Sequence, residues 1–239
     1  MSLNSFFLYF GSKSQLAHRY PAPVHDTIIE PFAGSAAYSV RHHRRKVILI
    51  DKDPVVVGLW SYLLRSSPRD LLALPDLAVG QHVNELRICQ EARWLIGRWI
   101  DFGAKAPAGK RTPWGSDESK MHRTWGRTMR ARLAGQVDKI RHWQIIEGGY
   151  ESAPDVEATW FIDPPYQRGG LQYTVSSKGL DFPALGAWCR ERQGQVIVCE
   201  ETGASWLPFE PFATIRSVGK NLTGEVIWTN DATQTQASA

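Results

Sequence analysis

Ala158-Thr159-Trp160-Phe161-Ile162-Asp163-Pro164-Pro165-Tyr166 is the stretch on which the fold turns. Its first five residues are apolar, β-branched or aromatic, the composition of a buried strand that ends at Asp163. The two prolines stop the hydrogen-bond ladder and force an extended, rigid turn. A carboxylate, a proline carbonyl and an aromatic ring are thereby presented together at the C-terminal edge of a sheet, where open α/β sheets bind ligands. The Asp163 carboxylate and the Pro164 C=O offer two acceptors to an exocyclic NH₂ of a planar base, and Tyr166 offers a ring face to stack on it. Asp-Pro-Pro also favours ordinary turns, so the assignment rests on the segments around it.

Those segments begin near the N-terminus. Thr27-Ile28-Ile29-Glu30 reads as a short strand, followed by the small-residue turn Pro31-Phe32-Ala33-Gly34-Ser35-Ala36-Ala37 and a helix from Ala36 to His43. Small side chains let a ligand approach the backbone, and N–H groups at a helix start favour a carboxylate or phosphate. Lys46-Val47-Ile48-Leu49-Ile50 reads as a second buried strand ending at Asp51. An acidic residue about 20 positions after a glycine-bearing turn is placed to hold ribose hydroxyls. A complete G-x-G-x-x-G is absent, so the glycines do not assign NAD. Further along, Gln81 to Phe102 has a helical apolar period, and Trp143 to Ile146 and Gln195 to Cys199 read as strands, with Asp181 to Arg192 as a helix. Thr214 to Val218 and Glu225 to Thr229 fit a terminal antiparallel hairpin, and Asp231 to Ala239 a frayed tail. Trp94 and Trp99 sit at a spacing that predicts burial.

Four segments then stand in a characteristic order: Tyr9-Phe10-Gly11-Ser12-Lys13, Glu30-Pro31-Phe32-Ala33-Gly34-Ser35, a strand ending in Asp51, and Asp163-Pro164-Pro165-Tyr166. In that order the chain resembles the Dam-type DNA adenine-N6 methyltransferases, from Tyr9 to Ile227-Trp228-Thr229-Asn230. The resemblance implies an α/β fold, a Rossmann-like AdoMet-dependent methyltransferase sheet with an inserted, mainly helical target-recognition subdomain. The catalytic domain would comprise residues 1–65 and 143–239, and the insert residues 66–142. It implies S-adenosyl-L-methionine as cofactor, held by Tyr9, Gly11, Lys13, Pro31, Phe32, Ala33, Gly34, Ser35, Asp51, Tyr150 and Asp163. It implies catalysis by Asp163, Pro164, Pro165 and Tyr166 on N6 of an adenine flipped out of double-stranded DNA, with a cognate restriction enzyme as a candidate partner. Two positions depart from the family pattern. Ala36 stands where a second glycine is frequent, and alanine there is costly in a left-handed conformation but harmless in a first helical turn. Ser12 replaces one of two glycines in the opening motif. The same acceptor pair suits an RNA adenine or a DNA cytosine-N4, and a catalytically silent DNA-binding member of the fold is a reading of another class.

The 239-residue chain, 43% apolar, is long enough for a sizeable core and fits one α/β domain with an embedded subdomain. Neither an apolar run near 18 residues nor an export pattern is present, so a cytoplasmic location, in a bacterial or phage-infected cell, is expected. Cys89, Cys189 and Cys199 have no C-x-x-C spacing; neither a disulfide nor a metal is expected, and Cys199 reads as core. Charge is uneven. Between Lys105 and His142, ten Lys and Arg face three acids, a surplus of seven that leaves the rest of the chain net acidic. That cluster predicts a phosphate-contacting surface, with Lys110, Arg111, Arg123, Arg127 and Arg130 as candidate DNA contacts. Any one of these arginines taken singly fits a solvated helical face as well. Ala106 to Ser119, including Trp114 and Gly115, reads as a loop. Replacing Asp163 by alanine is expected to remove the chemistry and leave the fold intact.

Overall fold

The computed structural model describes residues 3–100, 106–113, 124–170, 174–216 and 222–230. The strand predicted over Ala158–Ile162 is buried at every residue and lies in the middle of the molecule. In chain order the strands are β1 (Thr27–Glu30), β2 (Lys46–Asp51), β3 (Gln144–Glu147), β4 (Ala158–Ile162), β5 (Gly194–Glu201), β6 (Glu210–Arg216) and β7 (Leu222–Thr229). They form one seven-stranded sheet in the order β3-β2-β1-β4-β5-β7-β6. The pairs β2–β3, β1–β2, β1–β4 and β4–β5 are parallel; β7 runs antiparallel to both β5 and β6. The fold is therefore α/β with a mixed, mostly parallel sheet. The chain winds outward from β1 through β2 to β3, then returns to β4 on the other side of β1. That reversal opens a crevice beyond the C-terminal ends of β1 and β4.

Alternation along β4 builds the two layers of core. Trp160 and Ile162 face one side with Ile29, Val196, Val198 and the helix α6 (Phe182–Glu191), through Leu185 and Cys189. Phe161 faces the other with Ile28, Leu49 and Ile197. Apolar cover on both faces is what parallel strands require. Each fully buried Leu, Ile or Phe stabilises the fold by about 1.5–3 kcal/mol relative to exposure. Local chemistry sets the helix starts: Asp53 accepts from Val55 N–H at the head of α2 (Pro54–Arg65), and Asp181 from Ala184 N–H at the head of α6. The start of α1 differs from expectation. It spans only Ala37–Arg41, and Ala36 before it is left-handed, at φ 47° and ψ 46°.

Residues 66–142 connect α2 to β3. Their described part contains α3 (Pro68–Leu72), a 3-10 turn at Val83–Glu85, α4 (Gln90–Ile100), α5 (Arg127–Val137) and one isolated bridge, His82 to Lys110. Leu71, Leu95, Trp99 and Leu133 join the cluster that holds Ile28 and Leu49, so this segment shares the core of the sheet. The helix expected from Gln81 begins only at Gln90. The physical reason is local capping. The His82 ring accepts from Asn84 N–H, Glu85 accepts from His82 N–H, and Gln81 C=O accepts from Arg111 N–H, which spends these groups outside a helix. Phe102, where that helix was expected to end, lies outside the described residues, and Cys89 is exposed. Trp99 is buried and donates to Phe6 C=O at 3.0 Å. Trp94 is half-buried over Gly58, where an added Cβ would meet its ring at 2.7 Å. The terminal hairpin is present but longer than predicted, since β6 begins at Glu210 and β7 at Leu222. Val218, Trp114, Gly115 and the tail from Asp231 lie outside the described residues.

Candidate active site

At the reversal between β1 and β4 lies a cavity of about 230 Å³. Its wall includes Tyr9–Lys13, Glu30–Ala37, Asp51–Asp53 and the β4 exit at Asp163 and Pro165, and is completed by Gly149, Phe161, Val175, Ser176, Gly179 and Leu180. Of the residues predicted from sequence, Tyr9, Gly11, Lys13, Pro31, Phe32, Ala33, Gly34, Ser35, Asp51, Asp163 and Pro165 all line it. Tyr150 does not. Its ring is buried behind Phe32, with centroids 6.0 Å apart, and against Trp188, and its neighbour Gly149 meets the cavity instead. Pro164 and Tyr166 also stand outside the lining. Sequence reasoning missed Glu30, Lys52, Asp53, Gly149, Phe161, Val175, Ser176, Gly179 and Leu180 as wall residues. Glu30, at the end of β1, and Asp53, two residues beyond β2, are polar residues beside Pro31 and Asp51 and were legible in principle.

The small-residue turn is shaped by contacts that leave little freedom. Gly34 sits at φ 45°, and a Cβ there would come within 3.0 Å of the Tyr9 ring. The Asp51 carboxylate accepts from Gly34 N–H and from Asp53 N–H, both at 2.9 Å, while Trp60 Nε1 donates to Gly34 C=O at 2.8 Å. Ser35 Oγ donates to Ser12 Oγ at 2.8 Å, which ties the opening motif to the turn and gives Ser12 a use that glycine lacks. Ala36, being left-handed, carries a strain of about 1–2 kcal/mol. Burial pushes the Asp51 carboxyl up to about 6, against the N–H bonds from Asp53 and Gly34 that favour its ionised form. A carboxylate has about four lone-pair sites, so these two bonds leave acceptor capacity for a ligand hydroxyl.

One helix-start donor is already in use. Ser39 N–H donates to the buried Glu30 carboxylate at 2.7 Å, so that group serves the chain itself. Burial pushes Glu30 up to about 8, with Ser39 opposing the rise.

Beside the cavity a buried ionic cluster joins three distant segments. Lys13 Nζ lies 2.8 Å from Asp163 Oδ1 and 3.7 Å from Glu225 Oε1, and 4.6 Å from the centroid of the Tyr166 ring. Glu225 Oε1 also accepts from Tyr20 OH at 2.8 Å and from Tyr166 OH at 2.7 Å. Burial works against the Lys13 ammonium, but the Asp163 and Glu225 carboxylates outweigh it and its pKa is raised. One face of the Tyr166 ring is thus taken by Lys13, leaving at most the other for a ligand. The turn after Tyr166 is held by β5: Glu200 accepts from Gln167 N–H and Trp206 Nε1, and Glu201 from Gly169 N–H. Burial lifts Glu200 to about 7.

The five candidate DNA contacts separate. Arg111 donates to Leu77 C=O at 2.7 Å, and Arg130 pairs with Asp76 at 3.0 Å and donates to Leu74 C=O. Both guanidinium groups therefore bind their own chain. Lys110 and Arg127 are exposed, and Arg123 lies outside the described residues. All three cysteines are free, with Cys199 buried as predicted. Among the described residues there is no group of three or more His, Cys, Asp or Glu poised to hold a metal, and no helix long and apolar enough to cross a membrane. Comparison of the chain with protein-family models and with curated proteins returned no match.

Proposed function

We propose that this protein is a site-specific DNA adenine-N6 methyltransferase that uses S-adenosyl-L-methionine. The observation that carries the reading is the convergence of the four separated sequence segments on one cavity at the sheet reversal. The donor set fits the cofactor. Asp51 offers a carboxylate for ribose hydroxyls, the left-handed Gly34 leaves backbone approachable, and Tyr9 supplies an aromatic wall. When bound, S-adenosylmethionine supplies an electrophilic methyl group on a sulfonium. The mostly parallel sheet, in which β7 alone runs against the others, is also compatible with a Rossmann-like fold.

The chain's own contribution is acceptor chemistry and alignment. Adenine N6 is a poor nucleophile because its lone pair is delocalised into the ring. Hydrogen bonds from the NH₂ to Asp163 and to Pro164 C=O draw it toward sp³ geometry and localise that pair. Lys13 occupies Asp163 Oδ1, and the carboxylate retains lone pairs for the amine. Positive charge that develops on N6 is stabilised by the two acceptors, and fixed alignment lowers the barrier further. A base in a duplex reaches such a pocket only by flipping out, which costs a few kcal/mol. Stacking on the Tyr166 face opposite Lys13 would recover about 1–3 kcal/mol of that.

Incubation with tritiated S-adenosylmethionine and DNA, RNA or no acceptor, followed by nucleoside mass spectrometry, tests the proposal. N6-methyladenine in DNA is expected. N4-methylcytosine, or label in RNA alone, would move the assignment to the neighbouring activities, and an absence of both transfer and cofactor binding would leave it without support.

A further inference from the structure

Glu225 lies on β7, outside the cavity lining, with the residue 5% exposed. Its side chain meets three donors. One oxygen, Oε1, takes the Tyr166 and Tyr20 hydroxyls at 2.7 and 2.8 Å and faces the Lys13 ammonium at 3.7 Å. A buried carboxylate is costly unless it is paired and hydrogen-bonded, and an apolar residue in such a place often serves stability as well or better. The groups it touches are the ones that adjoin the reacting acceptor: Tyr166 ends the motif begun by Asp163, and Lys13 pairs directly with Asp163. Tyr20 is itself locked, stacked on Phe212 with ring centroids 4.7 Å apart and packed edge-on to Phe161 at 5.0 Å. The anchor behind Glu225 is therefore rigid.

We infer that Glu225 is a positioning residue for the transfer step, acting through Tyr166 and Lys13. The inference rests on the methyltransferase reading and deepens it. Two physical effects are involved. The hydroxyl tether fixes the far end of the Tyr166 ring, which sets the plane against which a flipped base would stack. The second carboxylate also shares Lys13: with both carboxylates ionised the Lys13, Asp163 and Glu225 cluster carries one net negative charge, against burial and the nearby Asp163, which raise the Glu225 pKa. Without the charge of Glu225 the cluster is neutral: the ammonium pairs with Asp163 alone and offsets its attraction for the positive charge growing on the target nitrogen.

Glu225→Gln keeps the volume and an acceptor oxygen but removes the charge. It is expected to lower kcat for methyl transfer by roughly tenfold or more, while the cofactor dissociation constant and KM stay within about twofold. Tyr20→Phe, which removes one hydroxyl anchor, is expected to lower kcat by about threefold, the equivalent of one ordinary hydrogen bond. A second readout does not depend on activity. In protein labelled with 3-fluorotyrosine, with the Tyr166 resonance assigned from Tyr166→Phe, that resonance should move in both variants. An unchanged kcat in a folded Glu225→Gln protein, or a Tyr166 resonance that stays in place, overturns the inference. Should Glu225→Gln fail to fold, an unchanged kcat and an unmoved resonance in Tyr20→Phe overturn it instead. If the unsubstituted protein methylates no acceptor, the functional reading fails separately, and the fluorine resonance alone decides whether Glu225 positions Tyr166.

Discussion

Replacing Asp163 by alanine should damage both the chemistry and the fold. A strand-end residue in a turn is expected from sequence to be dispensable for stability, but Asp163 is the nearest counter-charge of Lys13, which is only 9% exposed. Removing one partner of a buried ion pair typically costs about 3–5 kcal/mol, because the other charge is left uncompensated. Two features reduce that here. The Asp163 side chain is 20% exposed, so its pairing is partly screened, and Glu225 remains at 3.7 Å. At an effective dielectric of 20, a counter-charge near that distance still attracts the ammonium by about 4 kcal/mol. The net cost of Asp163→Ala is therefore expected to be about 2 kcal/mol, read as a lower urea midpoint at unchanged slope. Adding Lys13→Met to Asp163→Ala also takes the ammonium from the buried Glu225, so it should lower stability further and not return methyl transfer. Asp163→Asn, with one acceptor oxygen and no charge, should keep weak activity. An alanine variant as stable as the parent would show that the pair contributes little, and one with near-normal turnover would remove Asp163 from the chemistry.

Asp51→Ala should weaken S-adenosylmethionine binding by about 1.5–3 kcal/mol, the range for hydrogen bonds to a charged group, measured by calorimetry. Because burial lifts Asp51 to about 6, binding by the unsubstituted protein should weaken as pH falls through that value; a flat profile with unchanged affinity in the alanine variant would mean that Asp51 does not face the ligand. Glu30 is raised from an ordinary 4.5 to about 8, so the folded state holds its proton more tightly than the unfolded chain. Its favourable contribution is complete below the unfolded value and is lost as pH rises through about 8. Glu30→Gln should abolish that decline, which denaturation midpoints near pH 5 and near pH 9 would reveal; an equally steep decline in the variant would exonerate Glu30. If the exposed Lys110 and Arg127 contact phosphates, their joint replacement by alanine should flatten the salt dependence of DNA affinity by up to about two units. Arg130→Ala should lower stability instead, through its lost contacts to Asp76 and Leu74, and a slope that fell only in that variant would reverse the assignment.

Local sequence carried the elements whose signals are local. The buried strands at Thr27–Glu30, Lys46–Asp51 and Ala158–Ile162 announce themselves as continuous apolar runs that stop at an acid, and α6 by Asp181 and Pro183 at its head. Where a nearby polar group competes for the backbone, the same reading fails. The start of α4 is lost to the His82 and Glu85 caps. Ala36, with no side-chain cap, turns left-handed inside what its small neighbours suggested was a helix. Tyr150 failed as a wall residue because one step along a turn decides whether a ring faces the cavity or the core, and chain order does not encode that step.

By itself the amino-acid sequence determined where β1, β2 and β4 lie, where they end and which acids stand there, because those follow from composition and spacing over a few residues. It also named nearly half of the cavity wall, since a parallel sheet brings the ends of its adjacent strands to one edge. Tertiary structure alone decided which charges are spent inside the chain. Arg111 and Arg130 read as a basic surface until their carbonyl and carboxylate partners are in view, and Glu225 reads as one more strand residue until β7 pairs with β5. Tyr20 and Glu225 are 205 positions apart, and Tyr166 and Glu225 are 59 apart. The reason is physical. An ion pair or hydrogen bond acts over a few ångströms of space, and only the order of strands in the sheet converts those separations along the chain into contact.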